Sequence, residues 1–173
     1  ASIQGHFSTA KVLIKFGADL NNDLLYAARR GYNKMVNFLL NQKADVDYIS
    51  AKSETALTLS IQEKHLETAR ILLKRGADTA VQNAKGQTPL MTAVLTGETE
   101  IVKLIFQYQK QEPLTAQLDT ADFIGNTPIM VSADKGFLDI AKLLLERGAK
   151  VESINRWNET ALMFASSKGF REI

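Results

Sequence analysis

The sequence predicts an all-α solenoid of stacked helix-turn-helix units joined by β-turn fingers. Three observations point there. A helix-opening triplet recurs: T-A-L at Thr55–Leu57, T-P-L at Thr88–Leu90, T-P-I at Thr127–Ile129 and T-A-L at Thr160–Leu162, in steps of 33, 39 and 33 residues. A second marker, G-A-D at Gly17 and Gly76, K-A-D at Lys43 and G-A-K at Gly148, keeps the same phase. Between the two markers lies a turn with Asp, Asn or Ser first and Gly, Asn or Ser fourth: Ser50…Ser53, Asn83…Gly86, Asp122…Gly125 and Asn155…Asn158. These are type I turn preferences. A fixed period of this length is the signature of a repeat architecture.

Each element of a unit has a local reason. Thr88 and Thr127 are good N-caps, and the proline after each suits the first helical position, where a missing N–H costs nothing. The first helix stops near Gly31, Gly97, Gly136 or Gly169. The second helix carries an apolar face, such as Ile140, Ala141, Leu143, Leu144 and Leu145, and ends at a glycine suited to a left-handed cap. A helix pair of about 20 residues cannot bury both apolar faces alone; stacked neighbours can.

The full pattern is D-x-x-G-x-T-P-L-x-x-A-x-x-x-G-x-x-x-I-V-K-x-L-L-x-x-G-A-D. It resembles the ankyrin repeat across essentially the whole chain. Residues 1–21 resemble the second half of one repeat. Units follow at about 22–47, 48–80, 81–119 and 120–152, with a partial unit at 153–173. Starting without methionine and stopping mid-pattern at Ile173, the chain reads as a fragment of a longer one.

Several positions depart from the pattern. The histidine usual after T-P-L is replaced by Thr58, Met91, Met130 and Met163, so its hydrogen bonds are replaced or absent and a softer, more apolar stack is expected. The step from Gly17 to Lys43 is 26 residues, and the missing seven fall at the turn, so that repeat is expected to lack its finger. The 39-residue step places six extra residues within Gln107–Leu114. Pro113 stops a helix there, which predicts a longer loop.

Composition excludes much chemistry. The chain has 173 residues, 45% apolar and 23% charged, with a formal net charge of +2. Neither nucleic acid nor a membrane surface is expected as a partner, because the basic residues are few in excess and interspersed with acidic ones. Without cysteine there is no disulfide, thiolate site or cysteine nucleophile. No apolar run approaches the roughly 18 residues of a membrane span, and the first residues are not a signal peptide. His6 and His65 read as repeat-position residues just after a first helix rather than as metal or catalytic groups. Arg29-Arg30 and Lys74-Arg75 read as helix-end cations complementing the carbonyl-end dipole. Asn158-Glu159-Thr160 matches a glycosylation sequon and reads as an accidental match in a turn. No phosphate-binding, dinucleotide or nucleophile-elbow motif occurs. No enzyme, cofactor or metal site is therefore expected.

What remains is surface. Proteins resembling the ankyrin pattern bind other proteins on the concave face, and the resemblance implies a protein or peptide partner here too. The absence of cysteine fits a reducing, cytoplasmic setting, in the producing cell or a host, and a monomer is favoured. The two x positions of each turn point outward: Ala51 and Lys52, Ala84 and Lys85, Phe123 and Ile124, Arg156 and Trp157. The first-helix column Tyr26, Leu59, Thr92, Val131 and Phe164 is expected to face the groove beneath them. Phe123, Ile124, Val131, Arg156, Trp157, Phe164, Leu59 and Tyr26 are thus the candidate partner-binding residues. Three intramolecular readings compete. Phe123 and Trp157 pack on each other; or the loop with Tyr108, Pro113 and Leu114 covers them; or further repeats bury Trp157 and Phe164. A targeting or regulatory segment of a larger enzyme, or of a bacterial effector, is the alternative functional class.

Overall fold

A computed structural model of the chain describes residues 2–108 and 117–169. Ten helices lie wholly within them: α1 Ser2–Lys15, α2 Leu20–Arg29, α3 Asn33–Asn41, α4 Ala56–Gln62, α5 Leu66–Lys74, α6 Pro89–Thr96, α7 Thr99–Tyr108, α8 Pro128–Lys135, α9 Leu138–Glu146 and α10 Ala161–Lys168. They form two layers. The inner row runs α2, α4, α6, α8, α10, each packing on the next, and the outer row runs α3, α5, α7, α9. Each of α2, α4, α6 and α8 also packs on the outer helix that follows it. The core is continuous along the stack, from Leu24 and Leu39 through Leu57, Leu72, Leu90, Ile105 and Ile129 to Leu144 and Ala165. The expected loop at Gln107–Leu114 falls mostly on residues 109–116, outside the described residues; Gln107 and Tyr108 belong to α7.

Four inner helices, α4, α6, α8 and α10, have a threonine at the N-cap, and three of the four use its hydroxyl. The hydroxyls of Thr55, Thr88 and Thr160 accept from the amides of Thr58, Met91 and Met163. Thr127 holds the same position, yet its side chain makes no cap bond, and its Oγ1 is buried without a partner among the described residues. Helices α1, α5 and α9 are followed by a left-handed glycine, Gly17, Gly76 and Gly148, and α3 by Lys43 at φ 69° in the same place. There the amides of Ala18, Ala44, Ala77 and Ala149 return to the carbonyls of Leu13, Leu39, Leu72 and Leu144. This is the paired closure that a left-handed residue allows.

Where the family histidine is missing, Thr58 completes a capping box with Thr55, its Oγ1 accepting from the Thr55 amide at 2.9 Å. Met91 and Met130 are instead fully in the core. His65 sits at the start of α5 with its ring over Gly31 and Nε2 3.1 Å from the carbonyl oxygen of Arg29. His6 departs from the expected equivalence, because α1 runs unbroken from Ser2 to Lys15 and places it within a helix. A helix of 14 residues leaves no interhelical turn at that position.

The shortened repeat has no turn between its marker and its helix. Asp19 of the marker is itself the N-cap of α2, accepting from the amides of Asn21 and Asn22. Those two amides hold the Asp19 carboxyl below its ordinary range. Neighbouring units are tied by side chains that accept the amide just beyond the next marker's alanine. Asn21 Oδ1 takes the Asp45 amide, Asp47 Oδ1 the Asp78 amide, and Asp119 Oδ1 the Lys150 amide, at 2.8, 2.7 and 2.9 Å.

Candidate functional site

The fingers are built by local polar chemistry. In each, the first side chain folds back on its own turn. Ser50 Oγ, Asn83 Oδ1, Asp122 Oδ1 and Asn155 Oδ1 each accept two amides, two and four residues on. The fourth residue is left-handed: Ser53, Gly86, Gly125 and Asn158 have φ of 57°, 76°, 89° and 59°. With the polar side chain spent on the turn, the two middle residues project from it. Ala51, Lys52, Ala84, Lys85, Phe123, Ile124, Arg156 and Trp157 are all exposed.

The three later fingers are joined edge to edge. The Phe123 amide donates to the Lys85 carbonyl at 3.0 Å, and the Arg156 amide to the Ile124 carbonyl at 3.2 Å. A finger contributes two extended segments, and paired segments lie about 4.8 Å apart, so adjacent fingers repeat every ~10 Å. That matches the spacing of packed helices beneath them. The large side chains therefore stand in one row. Phe123 is 58% exposed, Ile124 41% and Trp157 62%.

The helix column behaves differently from its expectation. Leu59 and Val131 are 2% and 7% exposed and belong to the core, as does Thr92. These two do not line the groove. The reason is the number of neighbours: α4, α6 and α8 each have an inner helix on both sides and an outer helix behind. Almost the whole circumference is enclosed; in α4 every residue from Ala56 to Ile61 is buried. At the ends of the inner row the enclosure is partial. Tyr26 on α2 is 56% exposed, and Phe164 on α10 is half-buried against the core. Tyr26 lies edge-on to Tyr32 at 6.4 Å between ring centres, with the Arg30 guanidinium 5.7 Å above its ring.

The basic pairs lie where a helix dipole favours them. Arg29 ends α2 and is ion-paired with Glu54 at 2.9 Å; Arg75 caps α5 and bridges Asn37 and Asn41. Inner-helix ends are also cross-tied: Lys64 reaches Glu98 at 3.0 Å, and Lys168 reaches Asp134 at 3.5 Å. Among the described residues, no group of three His or carboxylate side chains is placed to hold a metal ion, and no helix is long and apolar enough to cross a membrane.

A two-layered stack of short helices, edged by a row of projecting turns, defines a repeat protein whose variable side chains lie on one rim. The sequence matches the family Ankyrin repeats (3 copies) at residues 1–83, 24–117, 76–155 and 114–173. The chain belongs to the ankyrin-repeat family, whose repeats are protein-interaction modules. It is 36% identical over 132 residues to the ankyrin repeat and KH domain-containing protein mask-1 of Caenorhabditis elegans, covering 71% of this chain and 5% of that one. A putative palmitoyltransferase of Danio rerio is 28% identical over 94% of this chain, which spans 25% of it. The putative ankyrin repeat protein YahD of Escherichia coli is 26% identical over 86% of this chain and is itself covered over 78%.

Proposed function

We propose that this chain is a non-catalytic module that binds a protein or peptide across its row of turn tips. The carrying observation is the exposure of Phe123, Ile124 and Trp157 together, at the outward positions of two hydrogen-bonded fingers. A clustered apolar patch on an otherwise polar surface marks interaction sites, and aromatic and arginine side chains dominate binding hot spots. Arg156 lies beside Trp157 in the same turn. Leu59 and Val131 drop out of the contact surface and support it from beneath. Tyr26 and Phe164 remain candidate contacts at the two ends of the inner row. The turn tips also favour a protein partner over nucleic acid or lipid, since the fingers offer apolar and isolated charged groups rather than a basic field.

Photo-crosslinking tests the location. A benzoylphenylalanine placed at Trp157 should capture the partner, and the same group at Lys142 on α9 should not. Equal capture at both positions contradicts the tip-face reading.

A second reading has one observation behind it. The similarity to a putative palmitoyltransferase spans 25% of that protein, an arrangement in which an ankyrin segment accompanies an enzyme. In that setting the same tip row would position the enzyme on its substrate or hold it inactive, and the crosslinked partner would be that substrate or a segment of the enzyme itself. A host-directed bacterial effector is a third setting for the same surface.

A further inference from the structure

Lys52, Lys85 and Arg156 stand exposed at tip positions, and their side chains have no ion-pair partner among the described residues. Three carboxylates of the same fingers are turned to local partners. Glu54 is held by Arg29, Asp122 accepts the amides of Ile124 and Asn126, and Glu159 accepts from Asn155 Nδ2 at 2.8 Å. Glu63 is exposed, but it follows α4 at the end far from its finger, roughly 10 Å along the helix. The row of tips therefore has two halves. Lys52 and Lys85 form a cationic half, and Phe123, Ile124 and Trp157 an apolar half with Arg156 within it.

From this arrangement we infer that the partner is an extended peptide segment with an acidic end and an apolar end. Its carboxylates lie over Lys52 and Lys85, and its large apolar side chains lie against Phe123, Ile124 and Trp157. The inference rests on the tip-face reading above. Three finger spacings of ~10 Å cover about 30 Å, which an extended chain of about nine or ten residues bridges. Opposite charges across an interface fix register and raise the association rate, and like charges repel wrong partners. The apolar half contributes affinity, and the cationic half selects which apolar segments are accepted.

Panning a random 16-residue phage-displayed peptide library on the purified chain tests this directly. Enriched peptides are expected to carry two or more acidic residues on one side of an aromatic or aliphatic cluster. Their affinity, measured by fluorescence polarisation, should fall about tenfold or more in Lys52→Glu/Lys85→Glu and in Phe123→Ala/Trp157→Ala, with melting temperatures unchanged. Lys52→Gln/Lys85→Gln should give a smaller loss, and raised salt should weaken binding to the wild type more than to that variant. Peptides that lose binding only in Phe123→Ala/Trp157→Ala would overturn the acidic-segment inference and leave the tip-face reading standing. Peptides indifferent to both pairs, or no enrichment at all, would overturn both.

Discussion

The ring of Phe123 lies on Gly86 of the preceding finger, so close that a Cβ added to that glycine would sit 2.6 Å from Phe123 Cδ1. The same phenylalanine donates its amide to Lys85. One edge of the ring is thus seated on the neighbouring repeat while most of its surface remains open. Gly86 is required twice, by its φ of 76° and by that seat. Gly86→Ala is expected to cost about 1–3 kcal/mol, from the left-handed backbone and the displaced ring together. Adding Phe123→Ala should recover only the part due to the ring, because the Phe123 backbone N lies 2.9 Å from the same Cβ position and stays in place. Urea unfolding of the single and double variants measures both parts; complete recovery would show that the backbone conformation is not strained.

Lys43 holds a left-handed residue where three other repeats have glycine. Its side chain is exposed. Lys43→Gly removes the Cβ penalty and gives the unfolded chain more freedom, so a net gain of about 0.5–1 kcal/mol is expected. Thermal or urea denaturation reads it, and destabilisation would contradict the assignment.

Thr88 and Thr127 look identical in sequence but not in structure. Thr88 Oγ1 accepts from the Met91 amide; the Thr127 hydroxyl is buried and has no partner among the described residues. Thr88→Val should cost about 1 kcal/mol. Thr127→Val should be neutral or slightly stabilising, because it removes a buried polar atom that has no bond to lose. Equal losses in the two variants would show that Thr127 caps α8 in solution.

Asp47 lies between two other acids. Burial first, and then the charges of Asp78 and Asp45, push its carboxyl above the ordinary range, although the Asp78 amide opposes them. A folded-state value raised above the unfolded one gives stability that is full below the unfolded pKa and lost as pH rises through the folded one. Asp47→Asn keeps an oxygen acceptor for the Asp78 amide and removes the charge. It should stabilise the chain at pH 7, with the difference closing below about pH 4. A constant difference across that range would exclude the charge as its cause.

The repeat frame was legible because its determinants are local. Threonine caps, left-handed glycines and Asx turns are each decided within about five residues. The exposed tips were legible for the same reason, since a turn held by its own first side chain must project the next two. Leu59 and Val131 were not. An amphipathic reading supposes that a helix has one wet face, but an inner helix with neighbours on both sides and a third behind has none along most of its length. Tyr26, in the same column, is exposed because α2 packs on a single inner helix, α4. The uncapped Thr127 and the seating of Phe123 on Gly86 also depend on contacts between repeats, which no single repeat's sequence encodes.

We propose that Phe123 and Trp157 serve a partner rather than the fold. The most direct test pairs two readings on the Phe123→Ala/Trp157→Ala variant: its melting temperature, and capture of the native partner relative to wild type. The melting temperature is expected to stay nearly unchanged, because both rings are more than half exposed, and capture is expected to be lost. A large fall in melting temperature with capture intact would contradict the proposal and assign these rings to the stability of the stack.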